Sequence, residues 1–194
     1  MIAEAVRRSP LADYTDRFAA LSTATDGALS IRELPFVSQV NLRADPKDAD
    51  LMQRLATAIG FALPVVPNTV GSREDHRALW LGPDEWLVVG PDGQQGAIER
   101  ELRNGLNSAF GSIVDVSANR TVIEIRGGKA RDLLAHCVPI DLDARVFSAG
   151  RCAQTLLVKA HVIIECRDES GLILYVRASL ATYAADWLLD ALTE

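Results

Sequence analysis

The sequence has little of what usually announces chemistry. It holds only three cysteines and three histidines in 194 residues. No C-x-x-C, H-x-x-x-H or H-E-x-x-H spacing occurs among them, so no metal site is expected in this chain. His136 and Cys137 are adjacent and on a helix would point about 100° apart. There is no G-x-S-x-G nucleophile turn and no G-x-G-x-x-G dinucleotide fingerprint. Gly127-Gly128-Lys129 falls short of a phosphate loop, because Ala130 follows the lysine and Val122 or Ile123 stands where the first glycine belongs. A strand-to-helix turn accounts for these glycines. Long apolar runs are missing too. The longest, such as Leu156–Val158 and Val162–Ile164, are strand-sized, against the roughly 18 residues a membrane helix needs. Residues 1–20 carry Glu4, Arg7, Arg8, Asp13, Asp16 and Arg17, which leaves no apolar core for a signal peptide. A cytoplasmic protein with no membrane partner is the expectation. Basic runs are equally scarce: the net charge is −6 and Arg7-Arg8 is the longest cluster, so nucleic-acid binding is disfavoured.

What is present is ordinary for a globular protein, with 48% hydrophobic and 24% charged residues. The length suits one large domain or two small lobes around a sizeable core. Residues 1–27 read as an N-terminal arm, with a helix at about 11–21 and a linker at Ser22–Gly27. Leu29–Leu34 and Val37–Leu42 are β-prone runs split by Pro35, as in a hairpin or a bent strand. Pro46 opens a helix whose stripe is Leu51, Met52, Leu55, Ala56 and Ile59, ended by Gly60. Residues 61–77 form the longest expected loop. Strands Ala78–Leu81 and Trp86–Val89 flank the turn Gly82-Pro83-Asp84-Glu85. A helix at 94–109 follows, then strands Ser112–Val116 and Thr121–Ile125 around Ala118-Asn119-Arg120, then a helix at 128–137. Strands 152–158, 161–167 and 172–177 precede a last helix capped by Ser179, with Leu180, Tyr183, Ala184, Trp187, Leu188 and Ala191 as its stripe. Hairpin then helix recurs about four times. That order predicts an α+β fold, two lobes of antiparallel sheet with helices on one face, divided near residue 110 into 28–110 and 111–194.

Several residues invite a functional reading beside a plainer structural one. The carboxylate pairs Asp84-Glu85 and Asp141/Asp143 sit in turns without a basic neighbour to tune them. Cys152 and Cys166 fall nearly opposite each other if the chain turns at Lys159-Ala160, which permits a disulfide. In a reducing cytosol, buried thiols are the plainer expectation. Trp80 and Trp86 bracket a turn and suit a pocket or an interface, although two adjacent core strands explain them as well. Asp115 and Arg120 flank one turn and would be the pair to test in a small transferase; the plain reading has Asp115 anchoring the turn.

The segments Asn41-Leu42-Arg43, Leu63-Pro64, Pro67-Asn68 and Leu79–Leu87 (LWLGPDEWL) resemble the gamma subunits of heterotetrameric sarcosine oxidase. So do Val114–Arg120 (VDVSANR), Ile125–Gly128, Leu133-Leu134, Asp141-Leu142, Cys152–Thr155 and Val176–Ser179. The pattern runs from about residue 29 to the C-terminus and is similar, more widely, to the aminomethyltransferases of the glycine-cleavage T protein type. The resemblance implies an aminomethyltransferase-like folate-binding fold. It implies a subunit of an enzyme that oxidatively demethylates sarcosine to glycine, formaldehyde or methylene-tetrahydrofolate, and hydrogen peroxide. Flavins, NAD, tetrahydrofolate and zinc are then expected in the alpha, beta and delta partner subunits, and no cofactor in this chain. Folate-using members carry a glycine-rich turn and acidic residues where this chain has Lys159-Ala160-His161-Val162-Ile163-Ile164, and aliphatic side chains cannot manage a proton. The departure implies a scaffold with no catalytic residue, with a stand-alone folate binder or folate-dependent one-carbon transferase as the alternative. Trp80, Trp86, Pro64 and Pro67, with the long loop and the arm, are the candidate partner contacts.

Overall fold

The computed structural model of the chain describes residues 7–191. Within them, ten strands form two five-stranded sheets. They are β1 (Ser30–Leu34), β2 (Ser38–Ala44), β3 (Val70–Arg73), β4 (His76–Gly82), β5 (Glu85–Gly90), β6 (Gly111–Asp115), β7 (Arg120–Arg126), β8 (Arg151–Leu157), β9 (Ala160–Cys166) and β10 (Gly171–Arg177). Sheet I has the order β1-β7-β10-β9-β8, sheet II the order β3-β4-β5-β2-β6, and neighbouring strands in both are antiparallel. The helices are α1 (Thr15–Ala24), α2 (Ala49–Ile59), α3 (Gln95–Leu106), α4 (Ala130–Ala135) and α5 (Ala181–Asp190). None of them is long and apolar enough to cross a membrane.

The alternation of side chains along each strand builds three cores. On β10, Leu172, Leu174 and Val176 join a cluster with Phe18 of α1, Leu133 and Leu134 of α4 and Leu188 of α5. The alternate residues, Ile173 and Tyr175, meet Leu79, Leu87 and Val89 of sheet II. On β5, Trp86 and Val88 face the other way, against Leu51 and Leu55 of α2 and Ile98 and Leu102 of α3. The layers are therefore helix, sheet, sheet, helix. Each sheet is buried on both faces, which explains continuous apolar runs such as Val162-Ile163-Ile164.

Two expected hairpins prove to be crossovers. β1 pairs with β7 in sheet I, while β2 pairs with β5 and β6 in sheet II. Pro35 and Phe36, the latter at φ 61°, carry the chain from one sheet to the other. β6 and β7 part in the same way around Ser117–Asn119. The seam at residue 110 thus marks chain order and not sheet membership: β1 lies in the later sheet and β6 in the earlier one. The sheets are also tied along one edge. Val70 donates its N–H to the Gly150 carbonyl at 2.9 Å, and Cys152 to that of Asn68 at 3.0 Å.

The termini of the elements differ in instructive ways. Strand β3 takes residues 70–73 out of the expected 61–77 loop. Helix α2 starts at Ala49, after Pro46, because the Asp48 carboxylate accepts the Leu51 N–H and caps it. Ser179 does not cap α5; it lies in a 3₁₀ turn, Ala178–Leu180, that leads into the helix. On α5, Ala184 and Leu188 are buried while Trp187 of the expected stripe is exposed. The arm is no loose appendage over its described part, since Leu11 and Phe18 are buried in the sheet I core. Its helix ends at Ala24, so the first half of the expected linker is helical and the rest is a turn. Residues 1–6 of the arm lie outside the described residues.

Gly127 has φ 114°, and a β-carbon there would sit 2.2 Å from the Ala28 carbonyl oxygen. Its glycine serves this close approach, as the turn reading holds. Gly127→Ala is expected to lower stability by about 1–3 kcal/mol through strain and overlap. Gly128 has open space around its Cα, so Gly128→Ala is expected to stay within about 0.5 kcal/mol. Denaturant midpoints of the two variants check this.

Candidate functional site

The surface singled out in the sequence assembles around the segment that joins α2 to β3. Trp80 and Trp86 are register partners on β4 and β5. Trp86 is fully buried against the helix layer, and its indole N–H donates to the Pro64 carbonyl at 2.7 Å. Trp80 is half-buried, and its backbone N–H donates to the Thr69 carbonyl at 3.1 Å. The two tryptophans thus hold both ends of residues 64–69. Between those ends, Val65 and Val66 are 61% and 58% exposed, and Pro67 is exposed beside them. Trp86 is corrected from a candidate contact to the anchor of the loop at residues 64–69, since an indole with no exposed area cannot touch a partner. Pro64 is half-buried and Pro67 remains at the surface. The two valines are an addition: Leu63-Pro64-Val65-Val66-Pro67 already shows an apolar run between prolines. Phe110, 97% exposed just before β6, is a further exposed apolar side chain, in the gap between the expected helix at 94–109 and the strand that follows.

The residues considered for catalysis resolve into structural roles. Asp115 accepts both the Ser117 N–H, at 2.9 Å, and its hydroxyl, at 2.6 Å, which fixes the turn. Among the described residues, Arg120 forms no ion pair, with Asp115 or any other carboxylate. Asp141 accepts the Asp143 N–H, and Asp143 pairs with Arg145 at 2.9 Å. Asp84 holds Arg43 through two hydrogen bonds of 2.8 and 2.9 Å. Among the described residues, no three His, Cys, Asp or Glu side chains converge to hold a metal ion.

One acid–base cluster is buried. Glu165 of β9, with no exposed surface, lies on the inter-sheet face. It pairs with the Arg77 guanidinium of β4, accepts the Tyr175 hydroxyl at 2.8 Å, and has Arg167 at 3.8 Å. Burial and the Glu165 charge push the Tyr175 phenol well above its ordinary range. Closed to solvent and occupied on both oxygens, Glu165 clamps the sheets together and offers nothing to a substrate. This also tests the folate expectation. The strand that carries the acid in folate users is here Val162-Ile163-Ile164, all buried and apolar, and its nearest carboxylate is locked. The residues present do not fit that ligand's amine.

The cysteines follow the same logic. Strand β8 pairs with β9 so that Cys152 faces Glu165 and Arg151 faces Cys166. The one-residue offset puts the two thiols on opposite faces of sheet I, Cys152 between the sheets and Cys166 under the helices. All three cysteines are free and buried, which overturns the disulfide option. Burial, then the Glu165 charge, pushes the Cys152 thiol up to about 12; burial also raises Cys137 and Cys166. The three thiols are expected to resist an aromatic disulfide reagent at pH 8 and to react once guanidinium unfolds the chain. The sign of the pH effect follows. From about pH 9, where an unfolded thiol titrates, to about 12, the folded chain holds more protons at Cys152 than the unfolded chain. Stability is therefore intact below pH 9 and falls as pH rises through that window, which melting curves at successive alkaline pH values check.

Fold and site together define a helix-covered, double-sheet protein with an exposed apolar loop and no assembled catalytic group among the described residues. The "Sarcosine oxidase, gamma subunit family" model matches residues 43–194. The sarcosine oxidase subunit gamma of an Arthrobacter species is 36% identical over 190 residues, covering 97% of this chain and 91% of that one. The subunit gamma of Corynebacterium sp. strain U-96 is 33% identical over the same shares. Among solved structures, heterotetrameric sarcosine oxidase from Corynebacterium sp. U-96 superposes with a TM-score of 0.88 at 32% identity, covering 96% of this chain and 95% of that chain. The chain belongs to the sarcosine oxidase gamma subunit family. The glycine cleavage aminomethyltransferase T of Bartonella henselae shares the fold, with a TM-score of 0.61 at 13% identity over 84% of this chain and 45% of that one. The stand-alone folate binder and the one-carbon transferase are not favoured.

Proposed function

We propose that this chain is a non-catalytic assembly subunit of a cytoplasmic heterotetrameric sarcosine oxidase. The complex demethylates sarcosine oxidatively, and the alpha, beta and delta subunits hold its flavins, NAD, tetrahydrofolate and zinc. The observation that carries this reading is the near-complete superposition on a chain of the Corynebacterium heterotetramer. The internal chemistry supports it: the acid–base cluster at Glu165 is sealed, and Asp115 is spent on a turn. The exposed run Val65-Val66-Pro67, held from beneath by Trp86, supplies an apolar contact on a loop already ordered for docking. Purification of this chain by an affinity tag from its own cells tests the proposal. Three other polypeptides and a flavin spectrum are expected to arrive with it. A chain that arrives alone and colourless would overturn the assembly role.

A further inference from the structure

At one end of the cleft between the sheets, sheet I presents a row of basic side chains. Arg120 of β7 is the register partner of Arg177 of β10. On β10 and β9, Val176 pairs with Val162, so Arg177 comes beside His161, and His161 pairs with Leu156 of β8. Two residues further along these strands, Val122, Tyr175 and Ile163 point into the inter-sheet core. By strand alternation Arg120, Arg177 and His161 leave the sheet on that same face. Together with Gln154, Leu156 and Ile163 they line a cavity of about 440 Å³, within the size range of small-molecule sites.

The charges in this row are not neutralised from within. Elsewhere Arg77 is paired with Glu165, Arg32 with Glu124, and Arg126 with Asp168 at 2.5 Å. Among the described residues, the Arg120 guanidinium makes neither a hydrogen bond nor an ion pair. Burial, followed by repulsion from Arg177, holds its pKa below the ordinary arginine value. Glu85 attracts it from beyond ion-pair distance and is itself engaged by the Asn41 amide at 2.8 Å. Arg177 donates only to the neutral Asn119 Oδ1, at 3.0 Å. The half-buried Arg120 and the exposed Arg177, register partners at the rim of this cavity, offer two guanidinium groups to one oxyanion.

We propose that this cavity binds a small organic acid, its carboxylate held between Arg120 and Arg177 with His161 beside it, and its carbon chain against Leu156 and Ile163. The site is independent of the assembly role and stands or falls separately. The test uses succinate as the probe, at ionic strength matched with chloride, on the full chain and on the purified heterotetramer. Thermal shift and calorimetry report binding. Saturable stabilisation is expected in both, with affinity at least about ten-fold weaker in Arg120→Gln and Arg177→Gln. The exposed Arg100 on α3 serves as a charge-matched control, and Arg100→Gln is expected to bind as the wild type does. In chloride alone, Arg120→Gln is expected to melt no lower than wild type, because it removes an unpaired charge; this separates lost binding from lost folding. An unsaturable response, or equal weakening in all three variants, would overturn the proposal. Binding to the isolated chain that vanishes in the heterotetramer would also overturn it, because a partner's acidic side chain would then fill the site.

Discussion

Glu165→Ala is expected to lower the melting temperature by about 6–20 °C. Removing one partner of a buried ion pair costs about 3–5 kcal/mol, and a chain of this length loses roughly 2–4 °C per kcal/mol. The structural reason is specific. Arg77 has a side chain only 13% exposed and pairs with Glu165. Without the carboxylate, that guanidinium stays between the sheets uncompensated. The Tyr175 hydroxyl loses its acceptor, and Arg167, whose Nε is already buried without a partner, loses its nearest counter-charge. The double variant Arg77→Met with Glu165→Leu is expected to recover most of the loss, since an apolar pair of similar volume removes both charges together. Melting curves of the two singles and the double decide it. A Glu165→Ala protein that melts with the wild type would show that the clamp contributes nothing.

Trp86→Ala is expected to cost about 3–5 kcal/mol, the range for deleting a large buried aromatic. Trp86 is fully enclosed in the core formed by sheet II with α2 and α3, so its removal leaves a cavity. The more informative variant is Trp86→Phe. It keeps most of the volume and loses the N–H that holds the Pro64 carbonyl at 2.7 Å, at about 1–2 kcal/mol. Because that bond fixes the loop carrying Val65 and Val66, Trp86→Phe is expected to expose residues 64–69 to limited proteolysis. It is also expected to weaken association with the other subunits more than it weakens the fold. Denaturant unfolding beside a pull-down separates the two effects. Unchanged association with an opened loop would remove residues 64–67 from the contact surface.

Much of this was readable from residues alone, and the failures share a cause. Helix α2 was legible because its stripe and Gly60 agree, and the β8–β9–β10 meander because its apolar runs alternate with tight turns. What a turn cannot say is whether the strands on either side of it pair. Pro35 and Ser117–Asn119 carry ordinary turn chemistry, yet both move the chain between sheets. Partner choice depends on distant strands, and β1 finds its partner about ninety residues away in β7. The cysteine pair failed on parity: a turn placed one residue off moved Cys166 to the wrong face of the sheet. Strand β3 was lost in the loop because Val70-Gly71-Ser72-Arg73 is short and polar and is held as an edge by β4. The loop at residues 64–69 was singled out through its prolines and neighbouring tryptophans, but burial decided which tryptophan anchors it. The Glu165 clamp joins residues 88 apart in sequence. Its one local sign is a carboxylate ending the apolar run of β9. The family motifs carried further than any periodicity here, because they pointed to a family that composition and spacing do not name.

The most direct test of the assembly role is to titrate the purified chain into the other three subunits, following particle mass and sarcosine oxidation together. Activity is expected to follow the amount of four-subunit particle up to one equivalent, with none from this chain alone. Turnover by the isolated chain, or full activity and an unchanged mass without it, would contradict a non-catalytic assembly role.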